Sequence, residues 1–344
     1  MPISNRLPYE SKLSKLHNDK ISVSINCLRG GDVLSFMDEV SETEILWQSK
    51  TARKAQPLSA SLAQDSHSFY DQYPGGIQEL FPNTADSTRV NGVDLPFHGE
   101  ACRIPWEIVN SSGNELRISA QLRRLPIAME RVLSVDKTNP VLSISSKITN
   151  QSATEFPYSW GFHPAFGSAL LSEHATLYVP GDFYTVHPEN FSSNQKLVPG
   201  SEHAIEQKLN CGVLPLRSGK DFGADLLYIK CLDGWLIARN EKSGLTISIT
   251  WDIEKMPFIW VWREFFNPTG FPWWGQENIV GLEPHSSAPA QELRLLEEKG
   301  LAMNLGANES ITAELSISLT YTDVSKQPIG INESNMPILE GINK

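Results

Sequence analysis

Three segments far apart in the sequence each set a titratable side chain where an apolar run meets a turn-forming residue. Residues 159–166 read SWGFHPAF and carry His163 between a glycine and a proline among aromatics. Pro164 fixes its own φ and drives His163 towards an extended conformation, while Gly161 admits backbone angles that other residues avoid, so the imidazole is aimed. Residues 95–106, LPFHGEACRIPW, place His98 beside Gly99 and Glu100. Residues 280–287, VGLEPHSS, end an apolar approach on Glu283, followed by Pro284. Histidine and glutamate, with ordinary pKa values of about 6.5 and about 4.3, suit proton donation and acceptance on two sides of a small neutral molecule without a cofactor. Taken singly, each has a plainer reading as a satisfied core histidine or a surface carboxylate; what argues for a site is that all three have the same framing.

Two further clusters add binding chemistry. Residues 73–83, YPGGIQELFPN, offer Gln78, Glu79 and Asn83 behind a double glycine, a pattern that predicts amide and backbone groups lining a pocket. Residues 259–274 crowd Trp260, Trp262, Trp273 and Trp274 together with Arg263 and Glu264. Aromatic faces pack against the C–H surface of a sugar, and amides, carboxylates and guanidiniums satisfy its hydroxyls. In an extended IWVWR, Trp260 and Trp262 share one face and Ile259, Val261 and Arg263 the other. Other chemistries lack their signatures. There is no GxSxG elbow and no cysteine framed as a catalytic thiol. The phosphate-binding glycine loops are missing, and no spacing supports a two-carboxylate glycosidase built from Glu79 or Glu100 with Glu283.

The elements that must hold these residues read as strands. Period-two alternation recurs at 21–28, 115–122, 141–148, 245–253 and 311–321, which predicts an all-β chain of large antiparallel sheets with little helix. Residues 289–300, PAQELRLLEEKG, are the best helical stretch, with Gly300 as its stop. Gly, Pro and Asn mark the turns, at 74–76, 91–92, 112–114, 233–234 and 267–270. Nothing resembles a linker, so residues 1–325 are expected to form one β domain, with 326–344 as a surface strap or a frayed tail. The chain has 344 residues, a formal net charge of −11, 40% hydrophobic and 20% charged residues. That balance disfavours nucleic acid and anionic membranes and suits a neutral partner. The four cysteines, Cys27, Cys102, Cys211 and Cys231, fit no zinc or disulfide pattern and predict buried, reduced thiols. With no apolar leader and no long apolar run, the expectation is a cytoplasmic protein.

The segments PGGIQELFPN, LPFHGEACRIPW, WGFHPAFG, GLEP and LGANESITAELSISL, in this order, resemble the aldose 1-epimerase (galactose mutarotase-like) family over roughly residues 20–320. The resemblance implies a β-supersandwich and cofactor-free interconversion of the α and β anomers of an aldose. By motif, Glu283 would take the proton of the anomeric hydroxyl, His163 would protonate the ring oxygen, and His98 would hydrogen-bond the sugar. No metal or cofactor is implied; the partner is a small-molecule sugar, and the chain would be a monomer or weak homodimer. Galactose-type enzymes carry an Asn-Arg pair where this chain has Pro82-Asn83 followed by Thr84, so Arg263, Arg89 or Arg131 would have to stand in. Asp225 is the candidate for their acidic substrate-binding residue. Two other readings stay open: a non-catalytic carbohydrate-binding or regulatory module, and an epimerase for phosphorylated or sulfonated sugars with a cationic corner at Arg263.

Overall fold

In the computed structural model, residues 13–50, 66–218, 222–268 and 270–341 are described; Thr269, within one expected turn, lies outside them. All five alternating segments form strands, at Ile21–Asn26, Glu115–Gln121, Val141–Asn150, Leu245–Trp251 and Ser310–Tyr321. The alternating apolar positions supply the buried side chains. Along Ser310–Tyr321, Ala313, Leu315, Ile317 and Leu319 are buried; between them Glu314 is exposed, Ser316 partly exposed and Ser318 buried.

The strands build an eleven-stranded and a ten-stranded sheet. Their pairings are antiparallel throughout. The main core joins them, with Ile25, Phe36, Leu227 and Ile259 from the first sheet and Leu133, Ile144, Ile247 and Leu315 from the second. The chain is all-β with minimal helix. The expected helix is present at Leu293–Glu298 and is followed by Gly300 at φ 69°. The four cysteines are free and buried. No helix among the described residues is long and apolar enough to cross a membrane.

Residues Pro328–Ile331 and Pro337–Leu339 pair as a hairpin. The segment is tied to the second sheet where Arg239 Nη1 donates to the Lys326 carbonyl at 2.7 Å and Cys211 Sγ approaches the Pro328 carbonyl at 3.7 Å.

Five strands in the middle of the first sheet carry the candidate site: β1 (Ile77–Leu80), β2 (Gly161–Phe166), β3 (Gly223–Lys230), β4 (Phe258–Phe265) and β5 (Asn278–His285). Their order across the sheet is β1-β2-β5-β4-β3. Every residue of β1, β2 and β5 is buried, because the sheet is covered on both faces. One face meets the main core. The other carries a second cluster that includes Trp47, Phe69, Tyr73, Trp260 and Trp262. Phe69 comes from a five-residue helix, α1 (Ser66–Tyr70), that gives no periodic signal in the sequence.

Candidate active site

Strand register assembles the site. Gln78 pairs with His163, Glu283 with Trp260, and Trp260 with Tyr228. The pairs Gly161 with His285 and Ala165 with Gly281 set His163 opposite Glu283. Side chains alternate faces along a strand, so these five residues form one row across five strands, all on the face away from the main core. His163, Glu283 and Trp260 line a cavity of ≈ 340 Å³, joined by Tyr73, His98 and Trp262. Trp273 closes over it, 5.6 Å from Trp262 and 5.5 Å from Trp47 between ring centroids.

Within the row, His163 Nε2 lies 3.5 Å from Glu283 Oε1. His285 Nε2 lies 3.2 Å from Glu283 Oε2, so an imidazole faces each carboxyl oxygen. Nδ1 of His285 has no hydrogen-bond partner, and placing the ring proton on Nε2 leaves no buried N–H unpaired. That proton is then donated to Oε2. On the far side of His163, Tyr73 Oη is 3.2 Å from Nδ1, a bond the tyrosine accepts when Nδ1 carries the proton and donates when it does not.

Two glycines make this packing possible. A Cβ on Gly281 would fall 2.1 Å from Glu283 Oε1, and one on Gly161 would fall 2.2 Å from His285 Nδ1. Gly161 is therefore required for space rather than for unusual backbone angles, a correction to its sequence reading. Pro164 does what was expected, since His163 lies inside the extended β2.

Electrostatically the site favours uncharged groups. Burial pushes the Glu283 carboxyl well above the ordinary carboxylate range. It lowers His163 to about 4 and holds His98 and His285 well below the ordinary imidazole value. The His163–Glu283 pair thus holds one exchangeable proton, and burial places it on Glu283. His98 sits at φ 62° with Nδ1 2.8 Å from the Thr84 carbonyl. Its Nδ1–H donates there, which leaves Nε2 as an acceptor.

Five of the nine expected site residues lie elsewhere. Gln78 belongs to the row but turns its amide to Asp32 Oδ2 at 2.8 Å. Glu79, one residue on, faces the main core, where it accepts from Arg131 Nε at 2.8 Å, Ser146 Oγ at 2.7 Å and Trp160 Nε1 at 2.8 Å. Asn83 clasps a loop by donating to the Asp86 and Pro96 carbonyls, both at 2.9 Å. Gly75 and Gly76 serve close backbone packing, since a Cβ on them would fall 2.3 Å from the Trp47 carbonyl and 2.1 Å from that of Val33.

Arg263 and Asp225 occupy the face opposite Trp260 and Trp262, as the alternation of β4 demands. They bind each other bidentately, with both bonds at 2.6 Å, and line a separate cavity of ≈ 300 Å³. Arg89 pairs with Asp94 on an exposed hairpin. None of the three arginines expected as stand-ins lines the His163 cavity.

Sequence reading missed His285 and Tyr73. The signal for His285 was its spacing of two from Glu283, which puts both on one strand face once β5 is seen to run through Pro284. Tyr73 stands two residues before the double glycine, and no local pattern marks it. Among the described residues, no group of three or more His, Cys, Asp or Glu side chains is arranged to hold a metal ion.

No protein-family model matches the chain, and no curated protein matches it in sequence. Solved structures do match in shape. Slr1438 from Synechocystis sp. PCC 6803 superposes with a TM-score of 0.67 at 20% identity, over 94% of this chain and 100% of that one. The galactose mutarotase related enzyme from Lactobacillus acidophilus gives 0.64 at 17% identity, over 90% and 98%. A galactose mutarotase-like protein from Clostridium acetobutylicum gives 0.61 at 14% identity, over 90% and 95%. The chain has the galactose mutarotase-like fold. Within that fold, the His163–Glu283 row lies at the middle of the larger sheet, under the α1 and Trp273 cover.

Proposed function

We propose that this chain interconverts the α and β anomers of a hexose by acid/base catalysis at the His163–Glu283 pair. The observation that carries the reading is this pair, directly opposed on neighbouring strands and buried in an aromatic-walled cavity with one transferable proton between its members. In the ring-opening step, the base removes the proton of the anomeric hydroxyl and the carbon–oxygen double bond forms. The bond from the anomeric carbon to the ring oxygen breaks, and the ring oxygen takes a proton from the acid. Rotation of the open aldehyde and the reverse sequence give the other anomer. Because the pair shares one proton, the member holding it acts as the acid: burial favours that proton on Glu283, which makes Glu283 the acid and His163 the base in the free site, the reverse of the roles that the resemblance assigns. His98 Nε2 accepts a sugar hydroxyl, and Trp260 and Trp262 pack on the ring's C–H surface.

Pure α-D-glucose and α-D-galactose, followed by NMR or polarimetry with and without the protein, test this reading. Accelerated anomer exchange that is lost in Glu283→Gln supports it; no acceleration of any aldose in a broad panel sinks it. Sugar binding without exchange would instead support a binding module on this fold. A phosphorylated or sulfonated sugar is a poorer fit, since the described residues lining the cavity include Asp86 and no lysine or arginine.

A further inference from the structure

The contacts around Glu283 form a chain of four groups. His285 Nε2 lies 3.2 Å from Glu283 Oε2, Glu283 Oε1 lies 3.5 Å from His163 Nε2, and His163 Nδ1 lies 3.2 Å from Tyr73 Oη. Glu283 and His163 each face a neighbour on two sides, so the position of one proton fixes the next. His285 begins the chain, with its ring proton on Nε2 and donated to Oε2. Tyr73 ends it. Its side chain lines the cavity, and among the described residues His163 Nδ1 is the only hydrogen-bond partner of its hydroxyl.

Burial keeps the shared proton on Glu283 and leaves His163 neutral. Oε2 already accepts from His285, so the carboxyl proton belongs on Oε1, facing Nε2. The single ring proton of a neutral His163 is then on Nδ1, where Tyr73 Oη accepts it. A hydroxyl that accepts there turns its own O–H away from His163 and into the cavity. Ionising Glu283 reverses the outer links: Nε2 carries the ring proton towards Oε1, the bare Nδ1 takes the Tyr73 O–H, and the cavity loses a donor. Tyr73 keeps its proton throughout, because burial, reinforced by Glu283, Asp32, Tyr70 and Cys102, holds the phenol well above its ordinary pKa. His98, 5.7 Å from the His163 ring, is held neutral by burial, with His163 and Arg103 adding to it. The Tyr228 hydroxyl, also in the field of Glu283, is engaged by His187 Nδ1 at 2.6 Å and the Ala290 N–H at 3.0 Å.

Taking the cavity as the sugar site proposed above, we infer that the Tyr73 hydroxyl is a hydrogen-bond donor to the bound sugar, turned towards it only while Glu283 keeps its proton. It complements His98, whose Nε2 accepts. Binding through Tyr73 therefore favours the protonated pair, and by linkage a bound sugar raises the Glu283 pKa and takes up a proton wherever that group is part-ionised. The proton that serves the chemistry thus also governs how the ligand is held.

Tyr73→Phe removes the hydroxyl and keeps the ring, which stacks on Phe69 at 5.1 Å and lies 5.4 Å from Trp47 between centroids. Two measurements across neutral and alkaline pH test the inference. In the free protein, NMR of the isotope-labelled His163 ring and Glu283 carboxyl should find the ring proton on Nδ1 wherever Glu283 is protonated and on Nε2 wherever it is ionised. A proton on Nε2 beside a protonated Glu283, or one that stays on Nδ1 after ionisation, overturns the inference. Calorimetry with glucose and galactose should show Tyr73→Phe binding about tenfold more weakly than the wild type while Glu283 is protonated, the scale of one hydrogen bond, and equally once it is ionised. Unchanged affinity, or the same loss in both states, overturns the ligand role of Tyr73. If neither sugar binds at any pH, the sugar reading of the cavity falls, and the NMR result alone decides whether the Tyr73 hydroxyl follows the Glu283 proton.

Discussion

Trp260 lies flat on the His285 imidazole, with ring centroids 3.7 Å apart and planes 12° from parallel. The tryptophan fixes the plane of a ring whose Nε2 is 3.2 Å from Glu283 Oε2, leaving Oε1 as the oxygen that faces His163. His285 is thus a positioning residue. Replacing it with alanine is expected to lower kcat by about tenfold, the scale of one hydrogen bond. Loss of a donor to the carboxylate also raises the Glu283 pKa, so the alkaline limb of the kcat/KM profile should move to higher pH. A profile that keeps its limbs while the whole curve drops would mark His285 as merely structural.

The pair itself sets the largest effects. Glu283→Gln and His163→Asn are each expected to lower kcat by about 10²-fold or more with the fold retained by circular dichroism. Because burial lowers His163 to about 4, the wild-type acid limb should fall near there rather than near the ordinary imidazole value. An acid limb at about 6.5 would show that His163 titrates as an exposed histidine and would refute the desolvated site.

Glu79 tests the difference between site and scaffold. It is 1% exposed, with Arg131 at 3% on the other side of the ion pair. Glu79→Gln removes one partner of a buried pair, for which a loss of about 3–5 kcal/mol in urea unfolding is expected. Affinity for sugar, measured on the folded fraction by calorimetry, should not change. A loss of affinity without a loss of stability would return Glu79 to the binding site.

Glu264 gives a signed pH dependence. Burial, the largest cause, raises its pKa to about 8, with repulsion from Glu277 adding to it and hydrogen bonds from Asn267 opposing it. The folded state therefore binds more protons than the unfolded state between the ordinary carboxylate value and about 8, so this group's contribution to stability is lost as pH rises through that window. The buried imidazoles act oppositely: His163, lowered from 6.5 to about 4, withdraws stability as pH falls through that interval. Glu264→Gln should flatten the alkaline decline of Tm and leave the acid decline in place. An unchanged alkaline slope would mean that Glu264 is not the group responsible.

Legibility in the sequence followed exposure. Four of the five segments with clear alternation, Glu115–Gln121, Val141–Asn150, Leu245–Trp251 and Ser310–Tyr321, belong to the ten-stranded sheet. Three of these strands mix buried with exposed positions, so their pattern is written in polarity; along Leu245–Trp251 the small polar residues Thr246 and Ser248 keep the alternation although they are buried too. β2 and β5 are buried on both faces, and polarity cannot show which face a residue takes. His163 and Glu283 were found by their glycine and proline neighbours, and His98 by the same framing. Arg263 and Asp225 were carried into the site by type alone, although the alternation in IWVWR already set Arg263 on the face opposite the tryptophans. Tyr73 depends on contacts from α1 and the loop before β1, which no short-range pattern encodes.

The row of Gln78, His163, Glu283, Trp260 and Tyr228 gathers residues from five strands spread over most of the chain, each paired in fixed register. A slip of one residue in any of these pairings would turn that strand's contribution to the opposite face. The complete row consequently cannot exist in a partly assembled sheet: recovery of activity during refolding would report completion of the central sheet, and it would lag behind any signal from the alternating strands of the ten-stranded sheet if those form first.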